Sequence, residues 1–404
     1  MNIIVISILL PYPLNSGGAQ AQFNLIDKLR KKHNITFIFP ENGQNTMSAM
    51  KKLQEMWPEV NFCPYRYVLQ LTDLKFFVSK IKRAFNIMFR GGNERFKVER
   101  ILKPYGFPLN NRFRNFINTI VKRVNADVVQ VEFYPFLSLV ETLPKEVLKV
   151  FVHHEIRYVR NDRMLSDFQL TADENMLRET IKITELSDLN KYDRVVTLTQ
   201  NDKEVLEKSG VNKPIYVSPA AVDSEVRQYA GWNGRIAFLG GYGHAPNNEG
   251  VDWFIRDVLP ELQSMTSRRL ILDIVGKGWP VEYEKTNPQN EIKLRGFVEC
   301  LPDAVCGTIM IVPILSGSGM RMKILEAAAL GVPFITTTVG VEGLKFKDKE
   351  SCIIADTSED FAKGLALLME DELLRQQLTQ NASKVFEENY SVESLSAVRN
   401  RVYQ

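Results

Sequence analysis

Cysteine is scarce: Cys63, Cys300, Cys306 and Cys352 are the four in 404 residues, and none forms a CxxC pair or a Cys/His spacing. That argues against a zinc site and a disulfide framework, and the thiols read as inert and buried, as suits a reducing cytoplasm. Charge of one sign is scarce too. A formal charge of +3 gives no case for a nucleic-acid partner, and no basic cluster is interleaved with regularly spaced aromatics. No run approaches the ~20 apolar residues of a membrane-spanning helix. The apolar opening, Asn2 to Leu10, lacks a basic leader and breaks at Pro11 and Pro13, so it reads as a first buried strand rather than a signal sequence. Neither half contains GxGxxG followed by an acidic residue at the dinucleotide distance, which argues against an NAD dehydrogenase.

What remains is a soluble-type chain with ample apolar residues and the length of two or three ordinary domains. Its most informative stretch is Ser316 to Leu344, SGSGMRMKILEAAALGVPFITTTVGVEGL. The apolar run Ile309 to Leu315 predicts a buried strand, Ser316 to Gly319 a tight turn, and Met320 to Leu330 a helix that starts near Gly319 and is stopped by Gly331 and Pro333. Phe334 to Thr338 is then the next strand. A glycine turn lets backbone N–H groups approach a ligand, and a helix N-terminus favours an anion. Arg321 and Lys323 fall in the first predicted turn, where cations oppose the helix dipole unless an anion neutralises them. Glu326, five residues on, stands about 7 Å along the axis, the reach from a diphosphate to its ribose hydroxyls. The alternative is a surface i,i+3 pair of Lys323 and Glu326 with a solvated Arg321.

The same arrangement recurs upstream. Ile3 to Leu9 feeds the turn PYPLNSGGAQ, with Gly17 and Gly18, and a helix from about Ala19 to Lys32; without a ligand this is simply a tight turn. Val150 to Val152 is a strand ending in the polar cluster His153, His154 and Glu155, at the strand end where open α/β sheets bind ligands; the alternative is a pair of histidines capping a chain end. Arg235 to Leu239 leads into Gly240 and Gly241 before a further helix. Lys75 to Lys103 carries nine Lys and Arg against two Glu on an amphipathic pattern, which suits either a solvated helix face or an anionic membrane surface.

The stretch from Gly317 resembles the donor-site segment of glycosyltransferase family 4, retaining enzymes of the GT-B fold. Gly317, Ser318, Gly319, Arg321, Lys323, Glu326, Ala327, Gly331, Pro333, Glu342 and Gly343 follow the pattern of one subgroup in order. The resemblance implies a nucleotide-diphosphate sugar donor, with Gly317, Ser318, Gly319, Met320, Arg321 and Lys323 around the phosphates and Glu326 at the ribose. It places Gly17, Gly18, Gly240 and Gly241 beside the diphosphate. His154 to Tyr158, HEIRY, lies over a family pattern whose histidine sits near the reacting sugar. Many members carry a glutamate eight positions before the ribose-binding one, at the donor sugar, where this chain has Ser318. The interdomain Asn-Gly-Val-Asp of the family reads Ala-Ala-Val-Asp here, Ala220 to Asp223. Ile292 to Gly296 with Phe297 resembles the family's strand and loop near the nucleobase.

The expectation is α/β: two Rossmann-like doubly wound domains facing a cleft, an acceptor-binding domain over 1–212, a donor domain over 213–385, and a helix over 386–404 crossing back to the first. The expected activity is retaining glycosyl transfer to a glycan or lipid-linked acceptor in cell-surface polysaccharide assembly. No cofactor and no metal are expected, since no DxD-like motif stands in the right place. The expected location is cytoplasmic, with peripheral association at the inner face of the membrane through the basic stretch. A sugar-nucleotide epimerase of the same fold and a nucleotide-sugar-binding protein without catalysis are the alternatives.

Overall fold

The structure is a computed structural model. It describes residues 1–14, 17–41, 44–66, 94–103, 111–219, 221–222, 226–286, 288–317 and 320–404. Ser318, Gly319, Ala220, Asp223 and the larger part of the basic amphipathic stretch, 75–93, lie outside the described residues. The chain divides into two compact units, Met1–Ser218 with Val398–Gln404, and Pro219–Ala397.

The first unit is built on seven strands: β1 (Asn2–Ile6), β2 (Asn34–Pro40), β3 (Asn61–Tyr65), β4 (Val128–Glu132), β5 (Leu148–His153), β6 (Arg194–Thr197) and β7 (Ile215–Val217). All pair in parallel, in the order β3-β2-β1-β4-β5-β6-β7. Near-continuous Val, Ile and Phe runs are what a parallel sheet covered on both faces requires. Ile4, Ile6, Val129 and Val131 face one apolar cluster, while Ile3, Val5, Val128, Val402 and Tyr403 belong to the other. The strand order reverses between β1 and β4, so a crevice opens at their C-terminal ends.

The second unit repeats this plan with β8 (Arg235–Leu239), β9 (Leu270–Val275), β10 (Lys285–Thr286), β11 (Asn290–Gly296), β12 (Ile309–Val312), β13 (Phe334–Thr336) and β14 (Ile353–Ile354). Their order is β10-β11-β9-β8-β12-β13-β14, and only β10 runs antiparallel to its neighbour. Its reversal lies between β8 and β12. The buried Asp273 carboxylate on β9 accepts from Arg235 on β8 and from Arg295 on β11 at 2.9 Å, tying three adjacent strands together.

Some expectations need correction. The helix after β1 is Gly17–Leu29, so Gly17 and Gly18 open the helix rather than the turn before it. The helix after β12 is Met322–Ala329, not one starting near Gly319: Arg321, at φ −89° and ψ 84°, is its N-cap and lies outside the first turn. Cys63 and Cys352 are buried, but Cys300 is exposed and Cys306 half-buried, so the thiols are not uniformly interior.

Candidate donor and transfer sites

In the second unit the helices after β8 and β12, Ala245–Trp253 and Met322–Ala329, flank the reversal point. Glycine makes their close packing possible. A Cβ on Gly250 would lie 1.9 Å from the Pro313 carbonyl oxygen, so the first helix rests directly on the backbone leaving β12. A Cβ on Gly276 would lie 2.2 Å from the Gly240 carbonyl oxygen, and the Gly240 N–H donates to Val275 at 2.8 Å. The loops ending β8 and β9 therefore touch backbone to backbone. Trp279 Nε1 donates to the Gly240 carbonyl at 2.7 Å and Asn247 Nδ2 to that of Gly241 at 2.8 Å, which holds the turn open toward the crevice.

Lys323 reaches into this setting. Its Nζ donates to Asn247 Oδ1 at 2.7 Å and lies 4.3 Å from the Phe238 ring centroid. The ammonium is densely surrounded although the side chain keeps some solvent contact, and burial pushes it down to about 7; Glu326 opposes that shift and Arg321 adds to it. Arg321 is buried and its Nη2 donates to the Gly317 carbonyl at 3.1 Å, across a turn that Gly317 makes at φ +105°. Met320 is half-buried just before the cap. Glu326 is 8% exposed on an otherwise apolar helix, so it and Lys323 are not a surface pair. Two cations and a carboxylate on one helix end, beside two glycine turns, suit a diphosphate with an attached polyol. At the end of β11, Phe297 is 58% exposed and the Lys277 ammonium stands 4.4 Å from its ring centroid, an aromatic face open to a planar group.

The first unit assembles a second constellation at the ends of β4 and β5. His154 Nε2 lies 3.0 Å from Glu132 Oε2, which also accepts from Gln22 Nε2 at 2.7 Å. The Phe133 ring stacks on His154 at 4.0 Å between centroids and 9° between planes, from a backbone at φ 66°. A bulky residue in that region is strained, and such strain clusters at functional sites. His153, the last residue of β5, points elsewhere: it is buried with Nε2 2.8 Å from Glu185 Oε1. Glu185 also accepts the N–H groups of Arg157 at 2.9 Å and Tyr158 at 3.0 Å, capping the helix Arg157–Leu165 from a distant helix. Of the histidine pair, then, His153 is structural and His154 is half-buried at the strand-end crevice. Arg157, aligned with a glutamate of the family pattern, spends its Nη2 on the Ile101 and Lys103 carbonyls at 3.2 Å and lies over the Tyr134 ring at 5.0 Å.

The structure thus brings together Gly240, Gly241, Gly317, Arg321, Lys323 and Glu326 in one unit, and His154 with the helix opened by Gly17 and Gly18 in the other. The sequence reading gave no site role to Asn247, which lies within the family resemblance, and passed over Gln22, Glu132 and Phe133. A signal for Glu132 existed: Gln130 and Glu132 are polar residues two apart on one face of the apolar strand VVQVE, and both are buried.

Comparison with known proteins agrees with this geometry. Residues 233–371 match the family described as Glycosyl transferases group 1. An uncharacterized 44.6 kDa protein in the cps region of Klebsiella pneumoniae is 21% identical over 413 residues, spanning 96% of each chain. Sucrose-phosphate synthase from Thermosynechococcus elongatus superposes with a TM-score of 0.68 at 12% identity, over 100% of this chain and 98% of that one. A mutant of S. aureus TarM in complex with fondaparinux, α-GlcNAc-glycerol and UDP superposes with a TM-score of 0.64 at 11% identity, over 100% and 99%. The chain therefore has the fold of the GT-B glycosyltransferases, two Rossmann-like units, and its second unit contains the segment that matches the glycosyl transferases group 1 model.

Proposed function

We propose that the protein is a retaining glycosyltransferase that moves a sugar from a nucleotide-diphosphate sugar to a glycan or lipid-linked acceptor in cell-surface polysaccharide assembly. The observation that carries this reading is the placement of Lys323, whose ammonium donates to Asn247 and lies over the Phe238 ring at a helix N-terminus beside a glycine turn, a setting that suits a bound anion. The TarM complex with UDP and the relative from a cps region support the donor class and the pathway.

In this reading Lys323, Arg321 and the N–H groups of Gly240, Gly241 and Gly317 hold the diphosphate, with Ser318 and Gly319 assigned to the donor by the family resemblance alone; Glu326 accepts from the ribose hydroxyls, and Phe297 offers its face to the base. As the glycosidic bond breaks, negative charge grows on the departing diphosphate, where one fixed donor is worth about 3 to 4 kcal/mol. His154 serves the reacting sugar or its acceptor, and Gly17 and Gly18 count among the donor-binding residues. The charge stabilisation comes from side chains and needs no metal ion. The enzyme works in the cytoplasm, and its basic stretch, Lys75 to Lys103, attaches it to the anionic inner leaflet.

Calorimetry against UDP, GDP, ADP, dTDP and their sugars tests the donor half. One nucleotide should bind the parent and be lost in Arg321→Ala and Glu326→Ala; binding of none would end the reading. Release of nucleotide diphosphate only with acceptor present separates transfer from epimerisation. Binding without transfer or donor hydrolysis would identify a nucleotide-sugar-binding protein, the role that Ser318 in place of a family glutamate leaves open. Co-sedimentation with anionic liposomes at low salt tests the membrane claim, which fails if the protein stays in solution.

A further inference from the structure

Strand β4 carries an amide and a carboxylate on a face that is otherwise apolar. Gln130 and Glu132 point with Val128 into the cluster that Val402 and Tyr403 complete, and both are at least nine-tenths buried. Burying such groups is costly unless every one is bonded, so the bonds they make are informative.

Gln130 Oε1 accepts from the Tyr403 hydroxyl at 2.6 Å and from Arg399 Nη1 at 3.2 Å. Arginine can only donate, so this end of the amide must be its oxygen. Nε2 is thereby turned to Glu132 Oε1, 2.5 Å away, and donates to it. The other carboxylate oxygen of Glu132 faces Gln22 and His154. Facing a carboxylate oxygen that accepts, Nε2 is the nitrogen that carries the hydrogen when His154 is a neutral imidazole, and Nδ1 then keeps the lone pair. Phe133 fixes the plane of the ring. Burial pushes the Tyr403 phenol up to about 12, which keeps it a donor across the working pH range.

Arg399 is 2% exposed, and among the described residues no carboxylate lies within ion-pair distance of it. Its charge is answered through the Gln130 amide by Glu132, one residue removed. Its second Nη donates to Ser218 Oγ at 3.3 Å. Ser218 is the last residue of the first unit before the chain leaves it, and Val398 is the first on its return.

We propose that the returning C-terminal segment sets the tautomer of His154 through Gln130 and Glu132, which makes Tyr403 and Arg399 positioning residues for the transfer centre. The link to transfer rests on the function proposed above; the tautomer does not. The relay holds His154 as an Nε2–H imidazole with Nδ1 available as acceptor or base. A tail that merely packed against the sheet would leave the tautomer untouched.

Long-range proton–nitrogen spectra of the full chain labelled with 15N-histidine read this directly, since only four histidines contribute and His154→Gln identifies one. The parent should show His154 as Nε2–H. Glu132→Gln and Arg399→Met should each shift it toward a mixture. Tyr403→Phe leaves Arg399 donating to Gln130 and should shift it less, so Gln130→Met, which removes the amide link at nearly constant volume, carries the test if the others fail to fold. Gln130→Met should lower kcat about tenfold and leave KM for the nucleotide sugar within about twofold. An Nδ1–H parent, or a His154 signal unmoved in Gln130→Met, overturns the proposal. A tautomer that moves in a parent with no transfer and no donor binding would keep the relay and discard the transferase.

Discussion

Lys323 Nζ donates to Asn247 Oδ1 at 2.7 Å, and this single bond joins the helix that follows β8 to the helix that follows β12 at the reversal point of the second sheet. The lysine is held where its charge is poorly solvated, with its pKa at about 7 against 10.5 in the unfolded chain. Between those values the unfolded chain binds more protons, so this group's contribution makes stability rise with pH, and its penalty is full below 7.

Ligand binding has the opposite sign. A diphosphate beside Nζ favours the charged form, so nucleotide binding at about pH 8 should take up a fraction of a proton and tighten as the pH falls toward 7. Calorimetry in buffers of different ionisation enthalpy measures that uptake. Lys323→Met should abolish it; uptake unchanged in the variant would move the proton to another group.

Arg321→Ala should weaken nucleotide diphosphate binding about 10- to 100-fold, the worth of a charge-assisted contact of about 1.5 to 3 kcal/mol. Arg321 is the N-cap but makes no side-chain cap bond, so the helix should survive its loss. Circular dichroism and thermal unfolding check that survival, and binding close to parental in a folded variant would place the anion elsewhere.

Two glycines at positive φ, Gly210 at +97° and Gly276 at +151°, separate a conformational cost alone from a conformational cost with a clash added. Gly210 has φ +97° with nothing within 4 Å of an added Cβ, so Gly210→Ala should cost about 1 kcal/mol through the backbone alone. Gly276→Ala would press on the Gly240 carbonyl and the Gly241 nitrogen, which are backbone atoms, and should cost about 2 kcal/mol or more. Urea midpoints at constant slope give both numbers, and equal costs would mean that the β8 and β9 loops can part freely.

Asp273→Ala should destabilise by about 1.5 to 3 kcal/mol, because Arg235 and Arg295 would lose the buried carboxylate they share while remaining partly open to water. Asp273→Asn, with one acceptor retained, should cost less. A difference of less than about 1 kcal/mol between parent and Asp273→Ala would show that solvent reaches the pair and screens it.

Activity should persist in EDTA and gain nothing from added magnesium, since the diphosphate charge is met by Arg321, Lys323 and backbone N–H groups in the proposed mechanism. Activity abolished by EDTA and restored by magnesium would overturn that mechanism.

The strand–turn–helix repeats were legible because buried parallel strands read as apolar runs and the turns carry glycine. The placement of Arg321 beside Gly317 was legible because the two are close in sequence. Asn247 was not, because it meets Lys323 only when two helices from different βα units flank one crevice. Glu132 and Gln22 escaped likewise, standing 110 residues apart in sequence. Arg321 was placed two residues too far into its helix, because a residue pattern does not reveal whether the ψ of a cap is 84° or helical. The capping of the Arg157 helix by Glu185 has no local signal, for the acceptor comes from another element.

Val402 and Tyr403 close an apolar layer against β1, β2, β4 and β5, yet a ribosome makes them after the whole second unit. During synthesis the first unit therefore waits with that layer uncovered, and Gln130 without the donors that orient it. A chain cut before Arg399 would lack both donors that orient Gln130, and any change that displaces Tyr403 would uncover that apolar layer.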